Sequence, residues 1–236
     1  ESVEKYIDYL QPIATVPTAI LPSVMATATL AQLQLATDTP ERLTIIADIG
    51  AGHTDLGLMQ GQSLKFSRSF PIGGNELTRR YQNEDGGDFD HAERQKLTNA
   101  TLARETPATL PTYEWAEELV VQIEKSIAAA RRELGAALPQ GADEIWLCGG
   151  GARIAGLVDY IADRVRIPTK LWNPLDALKD AAGDADAVIE SIQECGDTLA
   201  VALGMGLNAF THEVTLDLLP KPPPYVLPDS TTENSE

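Results

Sequence analysis

Apolar and polar positions divide the chain into strands and helices before any chemistry is considered. Leu43, Ile45 and Ile46 make an apolar, β-branched run that Asp48 ends, and Leu56 to Met59 start another. Gly50, Ala51 and Gly52 lie between them, so the pattern predicts strand, small-residue turn, strand. Ser63 to Phe70 alternates, with Leu64 and Phe66 against Lys65 and Ser67, which predicts a third strand with one wet face. Asp143 to Gly151 is a strand running into three glycines, and Arg166 to Asn173 predicts the next. Helical stripes fall at Val3, Tyr6, Ile7 and Leu10, and at Leu157, Val158, Ile161 and Val165. Pro22 opens a helix to about Leu35, whose Ala26, Ala28 and Ala31 permit close packing. Tyr113 to Leu134 is the clearest helix, apolar at 115, 119, 123, 127, 130 and 134. Thr112 is expected to cap its start, and Gly135 to end it beyond Arg131 and Arg132. Leu199 to Phe210 predicts a helix of small residues.

The connecting segments are less regular. Ile13 to Ile20 reads as extended, punctuated by Pro12 and Pro17, and Thr37 to Arg42 as a polar boundary. Asn83 to Asp90 is acidic and Gly-rich and predicts a mobile loop. Thr98 to Pro111 is polar without a period, and Ala177 to Ala187 is a loop with helical tendency. Val214 to Pro220 alternates like a short strand, Lys221 to Pro224 is polyproline-like, and Asp229 to Glu236 is expected to be disordered.

Composition narrows the classes. With 236 residues, 43% of them hydrophobic, one large or two small domains can form. Eighteen basic against 35 acidic residues give a formal charge of −17, which argues against nucleic acid or an anionic membrane surface as partner. Cys148 and Cys195 lack metal spacing and suit reduced thiols in a cytosolic setting. No apolar run approaches eighteen residues, so direct membrane insertion is not expected. His53, His91 and His212 are scattered and read as surface or loop residues.

Three stretches carry candidate chemistry. From Asp48 to Thr54, backbone amides can approach an anion closely, Asp48 can hold a metal-bound water, and Thr54 can donate to a phosphate. The plainer alternative is a Gly-rich hairpin with an acidic flank. Glu93 and Lys96, three apart, share a helix face, and a surface ion pair is the usual outcome. Three glycines at a strand end weaken the strand unless its backbone must come close to something, and ligands sit at such points in parallel α/β sheets. Arg153 after them could stack on a base or form a salt bridge. Asn83 to Asp90 lacks the terminal Glu of an EF-hand calcium loop.

The order D-I-G-A-G-H-T-D-L (Asp48–Leu56), a strand, then S-F-P-I-G-G-N-E-L-T (Ser69–Thr78) resembles the second lobe of the PilM family of type IV pilus assembly, with FtsA of cell division a cousin. The resemblance extends through A-E-R-Q-K (Ala92–Lys96), L-C-G-G-G-A-R-I-A-G-L (Leu147–Leu157) and the N-P-L at Asn173–Leu175. It implies an α/β, actin-like (ribonuclease H-like) ATPase lobe with a mixed five-stranded sheet flanked by helices and a small inserted subdomain. Residues 1–36 would then be the end of a first lobe, and 37–78 the second-lobe core with its phosphate loop. Residues 79–118 would be the inserted subdomain and 119–198 the core with the adenosine loop. Residues 199–212 would return to the first lobe, and 213–236 form a partner-like tail. The family's first phosphate loop has no counterpart here, so the chain reads as a fragment, with a shortened relative that no longer turns over ATP as the alternative.

By the same resemblance, ATP or ADP would meet Asp48, Gly50, Ala51, Gly52, His53 and Thr54 at its phosphates, with Mg2+ reached from Asp48 through water. Glu93 would reach the ribose hydroxyls, and Lys96 the ribose or base side. Gly149, Gly150 and Gly151 would lie along adenine and ribose, next to Arg153. The tail Leu216, Asp217, Leu218, Leu219, Pro220 resembles the I-N-L-L-P peptide of the inner-membrane partner PilN, with Asp217 for Asn. The implied function is a cytoplasmic nucleotide-binding scaffold of pilus or related secretion assembly, peripheral to the inner membrane through a PilN-type partner. Self-association is a further contact considered, and hydrolysis would be weak at most. The alternatives are a sugar- or acetate-kinase-like phosphotransferase and an FtsA-like division scaffold; the polar C-terminus argues against the latter.

Overall fold

The computed structural model describes residues 3–10, 12, 17, 19–35, 39–135, 142–176, 192–211 and 217–218. In chain order the elements are α1 (Val3–Leu10), α2 (Ser23–Gln32), β1 (Leu43–Ile49), β2 (Thr54–Gln60), β3 (Ser63–Phe70), α3 (Gly74–Asp85), α4 (Phe89–Asn99) and α5 (Leu110–Leu134). They continue with β4 (Glu144–Cys148), a 3-10 turn (Gly150–Arg153), α6 (Leu157–Val165), β5 (Thr169–Leu171), a second 3-10 turn (Gln193–Thr198) and α7 (Ala200–Thr211). The chain forms two units, one of Pro22–Glu213 and one of Glu1–Leu21 with Val214–Glu236.

In the larger unit the sheet order is β3-β2-β1-β4-β5. The β1–β2 and β2–β3 pairs are antiparallel, and the β1–β4 and β4–β5 pairs parallel. Central β1 is buried on both faces, which is why its sequence is nearly all apolar. Ile45, Ala47 and Ile49 point to one side, where Trp115, Leu119 and Ile123 of α5 and Leu157 and Ile161 of α6 cover them. Ile46 points to the other, with Met59, Trp146 and Cys148 under Ala28, Leu30 and Ala31 of α2 and Ala200 of α7. The helix assigned by resemblance to the end of a first lobe, α2, thus packs on this sheet. At edge strand β3 exposed and partly buried positions alternate, as its pattern predicts.

Helices α2 and α7 meet closely: a Cβ built on Gly204 would lie 2.0 Å from the Ala26 carbonyl oxygen. The small-residue stripe of α7 serves this contact.

Three local expectations need correction. Asn83 to Asp90 is not one loop. α3 continues to Asp85, Gly86 and Gly87 turn with positive φ, and Asp88 caps α4 by accepting from the His91 amide at 2.7 Å. Its acidic residues are a helix end and a cap, so their polarity hid the helices. Thr112 does not cap α5, which begins at Leu110 with Thr109 before it and Pro111 in the first turn. Thr112 is buried, its hydroxyl 2.8 Å from both the Tyr81 and Thr109 hydroxyls. The strand expected over Arg166 to Asn173 is only Thr169–Leu171, because Arg166 still ends α6 in a left-handed conformation.

In the smaller unit, the Ile20 amide donates to Asp217 Oδ1 at 2.9 Å and the Ile20 carbonyl accepts from the Leu218 amide at 2.8 Å. Leu216, Leu219 and Pro220 of the tail motif lie outside the described residues. So do most of the extended piece at Ile13 to Ile20, the loop at Ala177 to Ala187, the polyproline-like Lys221 to Pro224 and the terminal Asp229 to Glu236.

Candidate functional site

β1 and β4 run parallel and end together, with Asp48 beside Cys148 in the register. The chain must turn away from both ends without filling the space above them. Gly149 does so with φ +85°; a Cβ there would lie 2.3 Å from Asp48 Oδ1, so no other residue fits. After β1, the Gly50 amide closes the hairpin onto the His53 carbonyl at 3.0 Å. The exposed amides of Ala51 and Gly52 find no acceptor among the described residues.

The turn after β3 is laid against this hairpin. Gly74 and Asn75 amides donate to the Gly50 and Ala51 carbonyls at 2.9 and 2.8 Å. A Cβ on Gly73 would come within 2.6 Å of both carbonyl oxygens. The fully buried Trp115 of α5 fixes the turn from behind, its indole Nε1 donating to the Gly73 carbonyl at 3.0 Å. The first amides of α3 are therefore already used by protein.

These pieces border a cleft of about 640 Å³. It is lined by Asp48, Gly50, Ala51, Gly74, Asn75, Glu93, Lys96, Leu97, Ala100, Gly149, Gly150, Gly151, Arg153, Ile154 and Thr198. The structure thus brings together nine residues singled out in the sequence: Asp48, Gly50, Ala51, Glu93, Lys96, the three glycines and Arg153. It does not bring Gly52, His53 or Thr54 to the lining. Thr54 is fully buried and its hydroxyl donates to the Ile72 carbonyl at 2.6 Å. Its expected role as a phosphate donor is therefore corrected to a brace between β2 and the turn after β3. His53 is exposed and lies 3.3 Å from Asp55.

Charges in the cleft are paired or shielded. Burial raises the Asp48 carboxyl to about 6; neighbouring Asp55 adds to the rise and His53 opposes it. Asp55 is also held by the Ser23 hydroxyl at the start of α2. Burial pushes the Glu93 carboxyl up, but hydrogen bonds from Lys96 (2.7 Å) and Thr78 (2.5 Å), with the Lys96 charge, outweigh it and leave the group below its ordinary value. Arg153 forms a bidentate pair with Asp197, Nε to Oδ2 at 2.8 Å and Nη2 to Oδ1 at 2.6 Å. Of the two roles left open for Arg153, the salt bridge is present.

Sequence reasoning missed Gly74, Asn75, Leu97, Ala100, Ile154 and Thr198 of the lining, and Asp197 behind it. The P-I-G-G-N turn and the residue after Lys96 were visible signals for some of them. Asp197 had none, since its partner lies 44 positions away. Among the described residues no group of three or more His, Cys, Asp or Glu could hold a metal by itself. Among the same residues no helix is long and apolar enough to cross a membrane.

A sheet of this order with its cleft at the ends of β1 and β4 is that of an actin-like ATPase lobe, and solved structures of that class match it. MreB 5 of Spiroplasma citri bound to AMPPNP is 17% identical with a TM-score of 0.62, the match covering 89% of this chain and 64% of that one. The MamK double helical filament is 20% identical with a TM-score of 0.60, covering 88% and 66%. The PilM-PilN type IV pilus biogenesis complex is 25% identical with a TM-score of 0.69, covering 88% of this chain and 57% of that one. The chain belongs to the family described as type IV pilus assembly protein PilM, which matches residues 22–210. It spans less than two thirds of the length of these solved relatives. A comparison with curated protein sequences gives no match.

Proposed function

We propose that this chain is the nucleotide-binding second lobe of a cytoplasmic PilM-type scaffold in type IV pilus or related secretion assembly. The observation that carries the reading is the cleft itself. Three separate segments, the Asp48–Ala51 hairpin, the Glu93–Lys96 helix turn and the Gly149–Arg153 turn, converge on one space. ATP or ADP would place its phosphates against the Ala51 amide of the hairpin and its ribose near Glu93 and Lys96.

The residues also fit a Mg2+ ion. Asp48 and Asp55 sit opposite each other, and burial holds Asp48 near 6, so a divalent cation would relieve the carboxylate. Asp48 would hold the ion through water, and the ion would neutralise phosphate charge. Hydrolysis, if present, is weak, and the role is binding: nucleotide occupancy sets the affinity for an inner-membrane partner of PilN type. The partnership in the solved PilM-PilN complex supports this, and so does the tail. Ile20 holds the tail at two points, its amide donating to the Asp217 carboxylate and its carbonyl accepting from the Leu218 amide. Deleting Leu216–Pro220 should change the affinity for the partner's N-terminal peptide; unchanged affinity removes the tail from the reading.

Calorimetric titration of the natively encoded protein with Mg-ATP tests the nucleotide part. Saturable binding, weakened at least about tenfold in Asp48→Ala, is expected. No binding, or binding indifferent to Asp48, would reject it.

A further inference from the structure

Arg153 is the guanidinium on the lining of the cleft, and the side of it that normally reads phosphate is already taken. A guanidinium recognises carboxylate or phosphate through its Nε–Nη2 or Nη1–Nη2 fork, two parallel N–H donors. Here Nε and Nη2 both donate to the Asp197 carboxylate, and Nη2 also donates to the Glu194 carbonyl. What remains for a ligand is Nη1 and the two flat faces.

Asp197 is built to keep it so. It is 5% exposed, both its carboxylate oxygens are taken by Arg153, and its carbonyl accepts from the Gly149 amide at 2.8 Å. One residue thus holds both ends of the triglycine turn. A buried carboxylate with a single cationic partner strongly disfavours release of that partner. The walls nearby are apolar: Ile154 follows Arg153, and Leu97 lines the same cleft while 75% exposed to water.

We propose that Asp197 is a positioning residue: it grips Arg153 by its phosphate-reading edge, so that a ligand meets the guanidinium face, which favours ligands carrying a planar aromatic base over bare polyphosphate. The inference rests on the nucleotide reading above and adds to it the residue that governs preference for the base.

The test compares Mg-ATP with Mg-tripolyphosphate, which has the phosphates and no base. Both are titrated calorimetrically into the natively encoded protein and into Asp197→Asn, Asp197→Glu and Arg153→Lys. Asp197→Asn and Arg153→Lys should each weaken ATP about tenfold, the size of one cation–π contact, and leave tripolyphosphate unchanged. Asp197→Glu, which keeps the charge, should recover part of the loss. Equal weakening of both ligands would make Arg153 a phosphate ligand and overturn the proposal. No weakening of either would reduce the pair to a structural brace and also overturn it. If the unsubstituted protein binds neither ligand, the nucleotide reading falls, and this inference with it. Should Asp197→Asn fail to fold, Arg153→Lys decides alone.

Discussion

Asp48 and Asp55 face each other across β1 and β2 in direct register, two carboxylates on neighbouring strands, of which Asp48 lines the cleft. Asp55 has the Ser23 hydroxyl and His53 for company. Asp48 is the member that lines the cleft, and its burial carries an unfavourable consequence: its carboxyl rises from 3.8 to about 6.

That rise fixes a pH dependence. A carboxyl with a raised folded-state pKa favours folding below its unfolded value, and the advantage is lost as pH climbs through about 6. The shift of about two units corresponds to about 3 kcal/mol at 1.36 kcal/mol per unit, as an upper figure. Asp48→Asn, which cannot ionise, should therefore be more stable than the unsubstituted protein at pH 7.5 without divalent cation, and no more stable at pH 4. Urea midpoints at the two pH values check this. A difference that does not change between them would mean that Asp48 ionises normally.

Trp115 supports the cleft from beneath. Trp115→Phe keeps most of the packing but leaves the Gly73 carbonyl without its indole donor. A loss of about 1 kcal/mol is expected, the net worth of one hydrogen bond, because the Gly73 carbonyl still accepts from the Glu76 amide at 3.1 Å. The loosened turn should also weaken any ligand held against Gly50 and Ala51. Denaturant unfolding measures the first effect and titration the second.

Gly204 tests the α2–α7 contact. Alanine is the better helix former by about 1 kcal/mol. At this site its Cβ would lie 2.0 Å from the Ala26 carbonyl oxygen, in backbone rather than in a yielding side chain. Gly204→Ala should thus destabilise by about 1–3 kcal/mol despite its propensity, whereas Gly206→Ala, with open space around it, should not. Thermal unfolding of the two variants makes the comparison.

Much of this architecture could be read from the chain because its signals are local. β1 betrays itself by its apolar run, β3 by alternation, and the two glycine turns by their position at strand ends. What could not be read depends on partners far along the chain. Thr54 looked like a phosphate donor because nothing nearby announces that Ile72, 18 residues on, takes its hydroxyl. Asp197 looked like one acidic residue among many in a chain of charge −17, and only the fold brings it to Arg153. The acidic stretch around Asn83 read as a loop because polarity masks helix ends whose caps are themselves acidic.

A crystal structure of the natively encoded protein with ADP and Mn2+ in place of Mg2+ tests the central claim most directly. The account predicts the base between Leu97 and Arg153, the phosphates at the Ala51 amide, and an anomalous manganese peak one water layer from the Asp48 carboxylate. Nucleotide bound elsewhere, or a cleft left empty at saturating ADP, would contradict it.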